Sequence, residues 1–213
     1  MPLFWSSCLV LGAYLLGSLS FAVIVSRAMG LSDPRTYGSG NPGATNVLRS
    51  GNKAAAVLTL LLDALKGWVA VMLARWLAHA MPGLGIGEGT LALVGLASFI
   101  GHVWPVFFRF EGGKGVATAA GVLLALDPYI GALALLTWLA VALTTRYSSL
   151  AALVTAVMAP LYDGFFHGPS LRTAAITVMS ALLVWRHAAN IRKLMAGTES
   201  KLGQKSAPPP GAG

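Results

Sequence analysis

Residues 3–25 read LFWSSCLVLGAYLLGSLSFAVIV, an apolar run of 23 residues that contains no charged side chain. A helix of about 20 apolar residues is long enough to cross the hydrocarbon core of a bilayer. No basic segment precedes the run and no small-residue cleavage site precedes Arg27, so the run is typical of a transmembrane helix and not of a signal peptide. We therefore predict an integral membrane protein.

The composition of the whole chain agrees with a membrane environment. Of the 213 residues, 56% are hydrophobic and only 10% are charged, and the mean hydropathy is +0.71. Because an ordinary globular domain has roughly 25% charged residues, this composition excludes a soluble α/β enzyme and a disordered protein. Cys8 is the single cysteine, which excludes an intrachain disulfide scaffold and a cysteine-based metal cluster.

Six further apolar runs follow the first one. Four of them cover about 54–79, 90–108, 129–145 and 173–186. The other two, about 116–126 and 149–161, fall below the length of a standard span, so each is either extended by its flanks or a short helix packed inside the bundle. With all of them counted as crossings, the sequence predicts an all-α bundle of seven transmembrane helices, two of them short.

The basic residues predict the orientation of this bundle. Cytoplasmic loops of membrane proteins carry an excess of lysine and arginine. With the N-terminus outside and the C-terminus in the cytoplasm, the inner loops hold 12 of the 15 basic residues: Arg27, Arg35, Arg49, Lys53, Arg109, Lys114, Arg146, Arg186, Arg192, Lys193, Lys201 and Lys205. The outer loops hold only Arg172. The net charge of +8 is thus explained by membrane topology, without a nucleic-acid partner.

The chain shows no internal repeat, and we predict one transmembrane domain over residues 1–195. Residues 196–213 include Pro208-Pro209-Pro210 and end in Gly-Ala-Gly. Such a composition favours a disordered cytoplasmic tail.

The first inner loop is long and polar. It contains DPRTYGSGNPGATNVLR over residues 33–49, with glycines and small polar side chains ahead of Arg49. Gly38, Gly40 and Gly43 match G-x-G-x-x-G, but the strand that a dinucleotide fold needs before this motif is missing. Glycines still let backbone N–H groups approach an anion closely, and we expect Asn46 to cap the following helix. The alternative is a flexible loop without a ligand.

Two further inner segments are suited to anions. Gly112-Gly113-Lys114-Gly115 places a lysine within a bare backbone. It is not a P-loop, because Phe108 stands where that motif has its first glycine. His187 and Asn190 are spaced i, i+3 and share one helical face. For both segments the alternative is positive charge that only sets membrane orientation.

Other residues bear on the class of chemistry. Asp63 and Lys66 are also spaced i, i+3 inside the second span, and we predict a structural ion pair because isolated charges at that depth are costly. No histidine is followed five positions later by aspartate, so the H-x4-D signature of acyl-CoA-using acyltransferases is missing. No nucleophile elbow and no acidic cluster for a metal ion is present.

Five stretches, in order along the chain, carry a resemblance to a known family. They are GSGNPGATNV with Arg49 (38–49), LDALKG (62–67), GHVWPVFF (101–108), GGKGVAT (112–118) and His187-x-x-Asn190-Ile191. Together they resemble the bacterial acyl-phosphate-dependent glycerol-3-phosphate acyltransferase family over about residues 10–195. The resemblance implies a seven-helix enzyme of the bacterial inner membrane with its active site on the cytoplasmic side. It would transfer a fatty acyl group from acyl phosphate to the 1-hydroxyl of sn-glycerol 3-phosphate.

The resemblance also implies a set of site residues and partners. The predicted catalytic residues are Ser39, Arg49, Lys114 and His187. The predicted substrate-binding residues are Gly40, Asn41, Thr45, Asn46, Gly112, Gly113, Gly115, Ser149 and Asn190. We expect no metal and no cofactor, and the family implies membrane lipid and a soluble enzyme that makes acyl phosphate as partners.

The chemistry of the substrates agrees with these residues. Acyl phosphate and glycerol 3-phosphate are both anionic, so their site should be cationic and lined by glycine. Because acyl phosphate is already activated, the hydroxyl can attack it directly. Either His187 or a phosphate oxygen of the substrate would take the proton. The remaining alternative is a transporter or channel for a small anion, since basic, glycine-rich loops also suit permeation.

Overall fold

All secondary structure in residues 2–203, the part of the chain that this computed structural model describes, is helical. The predicted all-α fold is therefore confirmed for these residues. The ten α-helices are α1 (Pro2–Gly17), α2 (Phe21–Ala28), α3 (Ala44–Val47), α4 (Lys53–Ala80), α5 (Glu88–Val103), α6 (Val116–Leu126), α7 (Pro128–Thr145), α8 (Ser148–His167), α9 (Leu171–Arg186) and α10 (Ala188–Met195).

The first apolar run forms two helices, so the prediction of one transmembrane helix over 3–25 is wrong in its continuity. α1 and α2 meet at an angle of 43°. Two polar groups stabilise the break between them. The Ser18 hydroxyl donates a hydrogen bond to the carbonyl of Tyr14 at 2.8 Å, and the Lys66 ammonium donates to the carbonyl of Leu19 at 2.7 Å. Backbone carbonyls that find such partners allow a helix to bend inside the membrane.

Four helices in the described residues are each long and apolar enough to cross a bilayer, namely α4, α5 with its extension to Phe108, α7 and α8. The number is six if the bent pairs α1 with α2 and α9 with α10 each count as one span. The predicted short run 116–126 is confirmed as α6, which has 11 residues. At 1.5 Å per residue, this helix is only about 16 Å long.

The run 149–161 is extended by its flanks into α8, which has 20 residues, so the second of the two predicted short helices is not short. Asp163, which ended the apolar run in the sequence, is fully buried. Its carboxylate accepts hydrogen bonds from Arg172 Nε at 2.7 Å and from the Thr173 hydroxyl at 2.6 Å. A paired carboxylate can be buried at a helix end without stopping the helix.

Small residues let the helices pack closely. A Cβ at Gly121 of α6 would collide with the carbonyl of Ala64 in α4, and a Cβ at Gly17 of α1 would collide with that of Ser98 in α5. Large apolar side chains, in contrast, cover the outside of the bundle, for example Leu143 and Phe165, which are 77% and 84% exposed. Small residues inside and bulky apolar residues outside are expected of helices surrounded by lipid.

The loops with the predicted site residues meet at one end of the bundle, which we call the site end. These loops follow α2, α5, α7 and α9. Beyond α10 the chain returns to the loop between α7 and α8, where the N–H of Leu202 donates to the carbonyl of Arg146 at 2.7 Å. Residues 204–213 of the predicted tail lie outside the described residues.

Candidate active site

Four side chains from four separate segments form a connected polar group at the site end. The Lys114 ammonium donates a hydrogen bond to Asn190 Oδ1. Asn190 Nδ2 donates in turn to Glu199 Oε1 at 2.7 Å, and the Ser149 hydroxyl donates to the same oxygen at 2.7 Å. The structure therefore brings together three predicted site residues, Lys114, Ser149 and Asn190, and joins two of them through Glu199.

The surroundings of Lys114 favour an anionic ligand. The pKa of Lys114 is lowered from 10.5 to about 8, chiefly because the side chain is partly buried. The negative charge of Glu199 opposes this change, and the positive charges of Arg186, Arg49 and Lys193 contribute to it. Several cations around a partly desolvated ammonium repel one another, so a phosphate group bound among them would relieve the repulsion.

We refer to Gly112–Gly115 as the anion loop. Two contacts clamp its backbone from different elements. The N–H of Gly113 donates to the carbonyl of His102 at 3.1 Å. The guanidinium of Arg186 donates to the carbonyls of Gly112 and Gly113 at 2.8 and 3.2 Å. The loop is thus fixed between the end of α5 and the end of α9.

Glycine is needed in the anion loop because other elements approach it closely. A Cβ at Gly112 would collide with the backbone carbonyl of His102, and a Cβ at Gly113 would collide with the imidazole of the same residue. Gly115 has a φ of +86°, and its Cβ would collide with the ring of Phe99. This crowding fixes the position of the backbone on both sides of Lys114.

The anion loop leads directly into the N-terminus of α6. Gly115 is the N-cap residue and supplies no side-chain hydrogen bond. The first N–H groups of a helix have no partner within the helix, and they carry the positive end of its dipole. A helix N-terminus is therefore a ready site for phosphate. Here it follows immediately after the half-buried cation Lys114.

Asn46 closes the first inner loop. It is 2% exposed. Its Nδ2 donates to the carbonyls of Pro34 and Tyr37 at 2.6 and 3.2 Å, and its Oδ1 accepts from the N–H of Ser39 at 3.0 Å. All three hydrogen bonds are directed into the loop itself, so Asn46 shapes the backbone on either side of Ser39.

The prediction that Asn46 caps the helix after this loop is wrong. A 3₁₀ turn over Leu48–Ser50 separates α3 from α4. α4 begins at Lys53, and Asn52 caps it by accepting the N–H of Ala55 at 3.0 Å. Asn46 and Asn52 both precede α4 in the sequence. Only the position of the 3₁₀ turn, which lies between them, decides that Asn52 is the cap.

The other predicted residues of the first loop lie at the surface. Arg49 is exposed and is close enough to Lys114 for its charge to lower the lysine pKa. The carbonyl of Pro42 would lie 3.0 Å from a Cβ at Gly113, which places this loop against the anion loop. Within residues 2–203, no side-chain hydrogen bond connects Gly40, Asn41 or Thr45 to Lys114 and its partners.

His187 is buried between α9 and α10, with 2% of its surface exposed. Its Nδ1 lies 2.8 Å from the carbonyl oxygen of Leu183. Because a carbonyl can only accept, Nδ1 must carry the hydrogen of this bond. In the neutral imidazole, Nε2 then carries a lone pair and can accept a hydrogen bond or a proton.

Two residues of this arrangement are absent from the sequence-based set, namely Arg186 and Glu199. Arg186 directly precedes His187, so its position next to a motif residue is a signal that could have identified it. Glu199 is an acidic residue in a strongly basic C-terminal segment, which the composition predicts to be a tail. Within residues 2–203, no group of three or more His, Cys, Asp or Glu side chains is placed to hold a metal ion.

Comparison with known proteins places this arrangement in a family. A family model described as glycerol-3-phosphate acyltransferase matches residues 7–197. The glycerol-3-phosphate acyltransferase of Paraburkholderia phytofirmans is 64% identical over 193 residues, which are 91% of this chain and 89% of that protein. The protein of the same name from Ralstonia pickettii is 63% identical over 195 residues, covering 92% and 93% of the two chains.

Solved structures agree with the sequence comparisons. A crystal structure of PlsY, an integral membrane glycerol 3-phosphate acyltransferase, in its glycerol 3-phosphate form matches with a TM-score of 0.85 and 40% identity. The match covers 93% of this chain and 96% of that one. The lysophosphatidic acid form of PlsY matches with a TM-score of 0.82 and 39% identity, covering 93% and 95%.

The fold and the comparisons together define a multi-pass membrane enzyme of the acyltransferase class. The chain belongs to the glycerol-3-phosphate acyltransferase family. The synthesis of phospholipids follows from membership of this family. An enzyme, and not a transporter or channel, is therefore the class to which the chain belongs.

Proposed function

We propose that this enzyme transfers a fatty acyl group from acyl phosphate to the 1-hydroxyl of sn-glycerol 3-phosphate. The products are 1-acyl-glycerol 3-phosphate, which is lysophosphatidic acid, and inorganic phosphate. The observation that carries the proposal is the position of Lys114, a half-buried cation directly before the N-terminus of α6. The glycerol 3-phosphate and lysophosphatidic acid forms of PlsY support the choice of acceptor and product.

Both substrates carry phosphate, and the site offers several positive groups for them. We assign phosphate binding to Lys114, Arg49 and the first N–H groups of α6. Gly112, Gly113 and Gly115 allow the substrate to approach the backbone. We assign Ser39, Gly40, Asn41 and Thr45 to the wall formed by the first loop, where the loop contacts the anion loop through Pro42. Asn46, Ser149 and Asn190 would hold these groups in position.

The reaction needs no covalent enzyme intermediate. The 1-hydroxyl oxygen of glycerol 3-phosphate attacks the acyl carbonyl carbon, and the bond between that carbon and the phosphate oxygen breaks. The hydroxyl proton passes to a phosphate oxygen of a substrate, and inorganic phosphate leaves. Lys114 and Arg49 stabilise the charge that collects on the leaving phosphate. His187, with Nε2 as acceptor, orients the attacking hydroxyl.

The donor is acyl phosphate and not acyl-CoA in this proposal. The chain lacks the H-x4-D signature of acyl-CoA-using acyltransferases. An anion site built from one loop and one helix N-terminus also suits a compact phosphate leaving group. A soluble enzyme that makes acyl phosphate would supply the donor. The acyl chain of the bound acyl phosphate would lie along the lipid-facing helices.

We further propose seven crossings, with the N-terminus outside and the site end in the cytoplasm of a bacterial inner membrane. α6 would make the shortest crossing. It runs from the anion loop to Asp127, where α7 begins. α7 ends near Arg146, which contacts Leu202 at the site end, so α6 and α7 are joined at the opposite end. Residues 1–195 would form the catalytic domain, and 196–213 a cytoplasmic tail whose first part returns to the site through Glu199.

Phosphate release by purified protein in detergent tests the reaction. Protein supplied with acyl phosphate and glycerol 3-phosphate should release phosphate and form lysophosphatidic acid in equal amounts. Omission of glycerol 3-phosphate should abolish both products. Comparable turnover with acyl-CoA as the sole donor would contradict the proposed donor, and the absence of lysophosphatidic acid would contradict the proposed reaction.

A further inference from the structure

A charged cluster lies inside the bundle below the anion loop. The Lys66 ammonium is 2.8 Å from Asp63 Oδ1, and both side chains belong to α4. This confirms the predicted ion pair. His102 of α5 faces the same carboxylate oxygen, with its Nδ1 at 3.5 Å. All three side chains are buried, being 2%, 2% and 7% exposed for Asp63, Lys66 and His102.

The cluster also reaches other elements of the bundle. Lys66 donates to the carbonyl of Leu19 in the break between α1 and α2, at 2.7 Å. The Thr118 hydroxyl of α6 donates to the backbone carbonyl of Asp63 at 2.9 Å. Charges at membrane depth are costly and are usually retained for a function. An ion pair that only joined two turns of one helix would not need these further partners.

His102 connects this cluster to the anion loop by two kinds of contact. Its backbone carbonyl accepts the N–H of Gly113. Its imidazole lies so close to Gly113 that a Cβ there would collide with Nε2. One edge of the ring therefore faces the carboxylate of Asp63 and the other faces the residue next to Lys114.

We propose that His102 is a positioning residue of the anion loop, and that Asp63 and Lys66 hold its imidazole against Gly113. The Arg186 guanidinium fixes the same loop through its carbonyls, so His102 and Arg186 clamp it from two sides. This inference rests on the proposed role of the loop in binding phosphate. His102 itself does not contact the substrate.

The size of the side chains at positions 102 and 113 gives a direct test. Gly113→Ala should raise the KM for glycerol 3-phosphate by roughly tenfold or more, because the new methyl group displaces the loop. His102→Ala should also raise this KM, because the ring that supports the loop is gone. In the double variant the methyl group of Ala occupies space that the ring has vacated, so the KM should be lower than in Gly113→Ala alone.

Gly112→Ala is the matched control. Its Cβ would collide with the backbone carbonyl of His102, which His102→Ala leaves in place. The double variant of His102→Ala with Gly112→Ala should therefore show no recovery. A cycle of single and double variants measures this coupling because the residues are in contact.

Three outcomes would overturn the inference. One is that His102→Ala changes the KM by the same factor in the wild type and in the Gly113→Ala variant, which would show that the two positions are not coupled. The second is that it restores Gly112→Ala as well as Gly113→Ala. The third is that it lowers only the Tm and leaves the KM unchanged, which would indicate a purely structural cluster.

The same comparison can be made without turnover. Binding of glycerol 3-phosphate should raise the Tm of the protein in detergent. This rise should be smaller in Gly113→Ala than in the wild type, and larger again in the double variant with His102→Ala. Wild-type protein that binds glycerol 3-phosphate but transfers no acyl group would contradict the proposed reaction and leave the positioning role supported. Normal acyl transfer by the wild type, with no coupling between positions 102 and 113, would support the proposed reaction and contradict the positioning role of His102.

Discussion

The guanidinium of Arg186 lies 2.8 Å from the carbonyl oxygen of Gly112, although the two residues are 74 positions apart. The same guanidinium donates to the carbonyl of Gly113. Arg186 is the last residue of α9, so these two hydrogen bonds join the end of α9 to the backbone of the anion loop before α6. A planar fork is suited to this paired contact, and a lysine ammonium is not.

Arg186→Lys should therefore weaken substrate binding while keeping the positive charge. We expect the KM for glycerol 3-phosphate to rise by roughly tenfold, since hydrogen bonds to charged groups contribute about 1.5–3 kcal/mol. Steady-state kinetics in detergent measures this change. Arg192→Lys, an exposed position on α10, is the control and should match the wild type. An unchanged KM for Arg186→Lys would show that the loop does not depend on the fork.

The two asparagines before α4 should differ in their effect on activity. Asn46→Ala removes three hydrogen bonds inside the first loop and should lower kcat/KM by roughly a hundredfold, because the loop then loses its geometry next to the anion loop. Asn52→Ala removes only a helix cap and should cost about 1 kcal/mol of stability. Activity and thermal unfolding of both variants test the distinction. Equal activity losses would contradict it.

The pH dependence of kcat/KM should reflect Lys114. Its pKa is lowered to about 8, so the side chain is charged below that pH and neutral above it. If phosphate binding needs the charge, kcat/KM should fall as the pH rises through about 8. Lys114→Ala should lose this basic limb along with most of its activity. A wild-type profile that stays flat to about pH 10 would contradict the role of the charge.

The proposed topology predicts that the two termini lie on opposite sides of the membrane. A reporter fused before Pro2 should be accessible from outside, and a tag after Gly213 should be accessible only from the cytoplasm. Seven is an odd number, so a chain that crosses the membrane seven times has its two ends on opposite sides. Both reporters on the same side would rule out seven crossings.

Much of the fold could be predicted from the sequence because apolar runs and basic loops reflect the bilayer directly. The runs predicted α4 and α7 to within a residue or two. They could not predict the break between α1 and α2, because its partner Lys66 is far away in sequence. They also could not decide whether the run 149–161 is extended by its flanks, because the pairing of Asp163 with Arg172 that buries this end of α8 exists only in the folded bundle.

Candidate site residues could be selected from the sequence where they stand in motifs. The structure places three of them, Lys114, Ser149 and Asn190, in one hydrogen-bonded group. Glu199, which joins Ser149 and Asn190, lies in a segment whose composition suggests a tail, and no local pattern predicts that the chain returns to the site. The contact of His102 with Gly113 depends on how α5 ends, which helical periodicity does not determine.

Lys114 is the cation on which the proposed site depends. Lys114→Ala should lower kcat/KM by about 10²–10³, by analogy with the removal of an oxyanion donor. Lys53→Ala is the matched control, because Lys53 is an exposed lysine at the start of α4. A comparable loss in Lys53→Ala would indicate a general effect of charge.

The turnover of Lys114→Arg tests the central claim most directly. If Lys114 only enforces orientation in the membrane, arginine replaces it fully, since both residues satisfy the positive-inside rule. If Lys114 binds phosphate, the bulkier guanidinium should not replace the ammonium beside Asn190, because the crowding of Gly113 and Gly115 against His102 and Phe99 keeps the backbone at position 114 from shifting to make room. We predict that correctly inserted Lys114→Arg protein loses most of its lysophosphatidic acid formation. Near-normal turnover of that protein would contradict the proposed site.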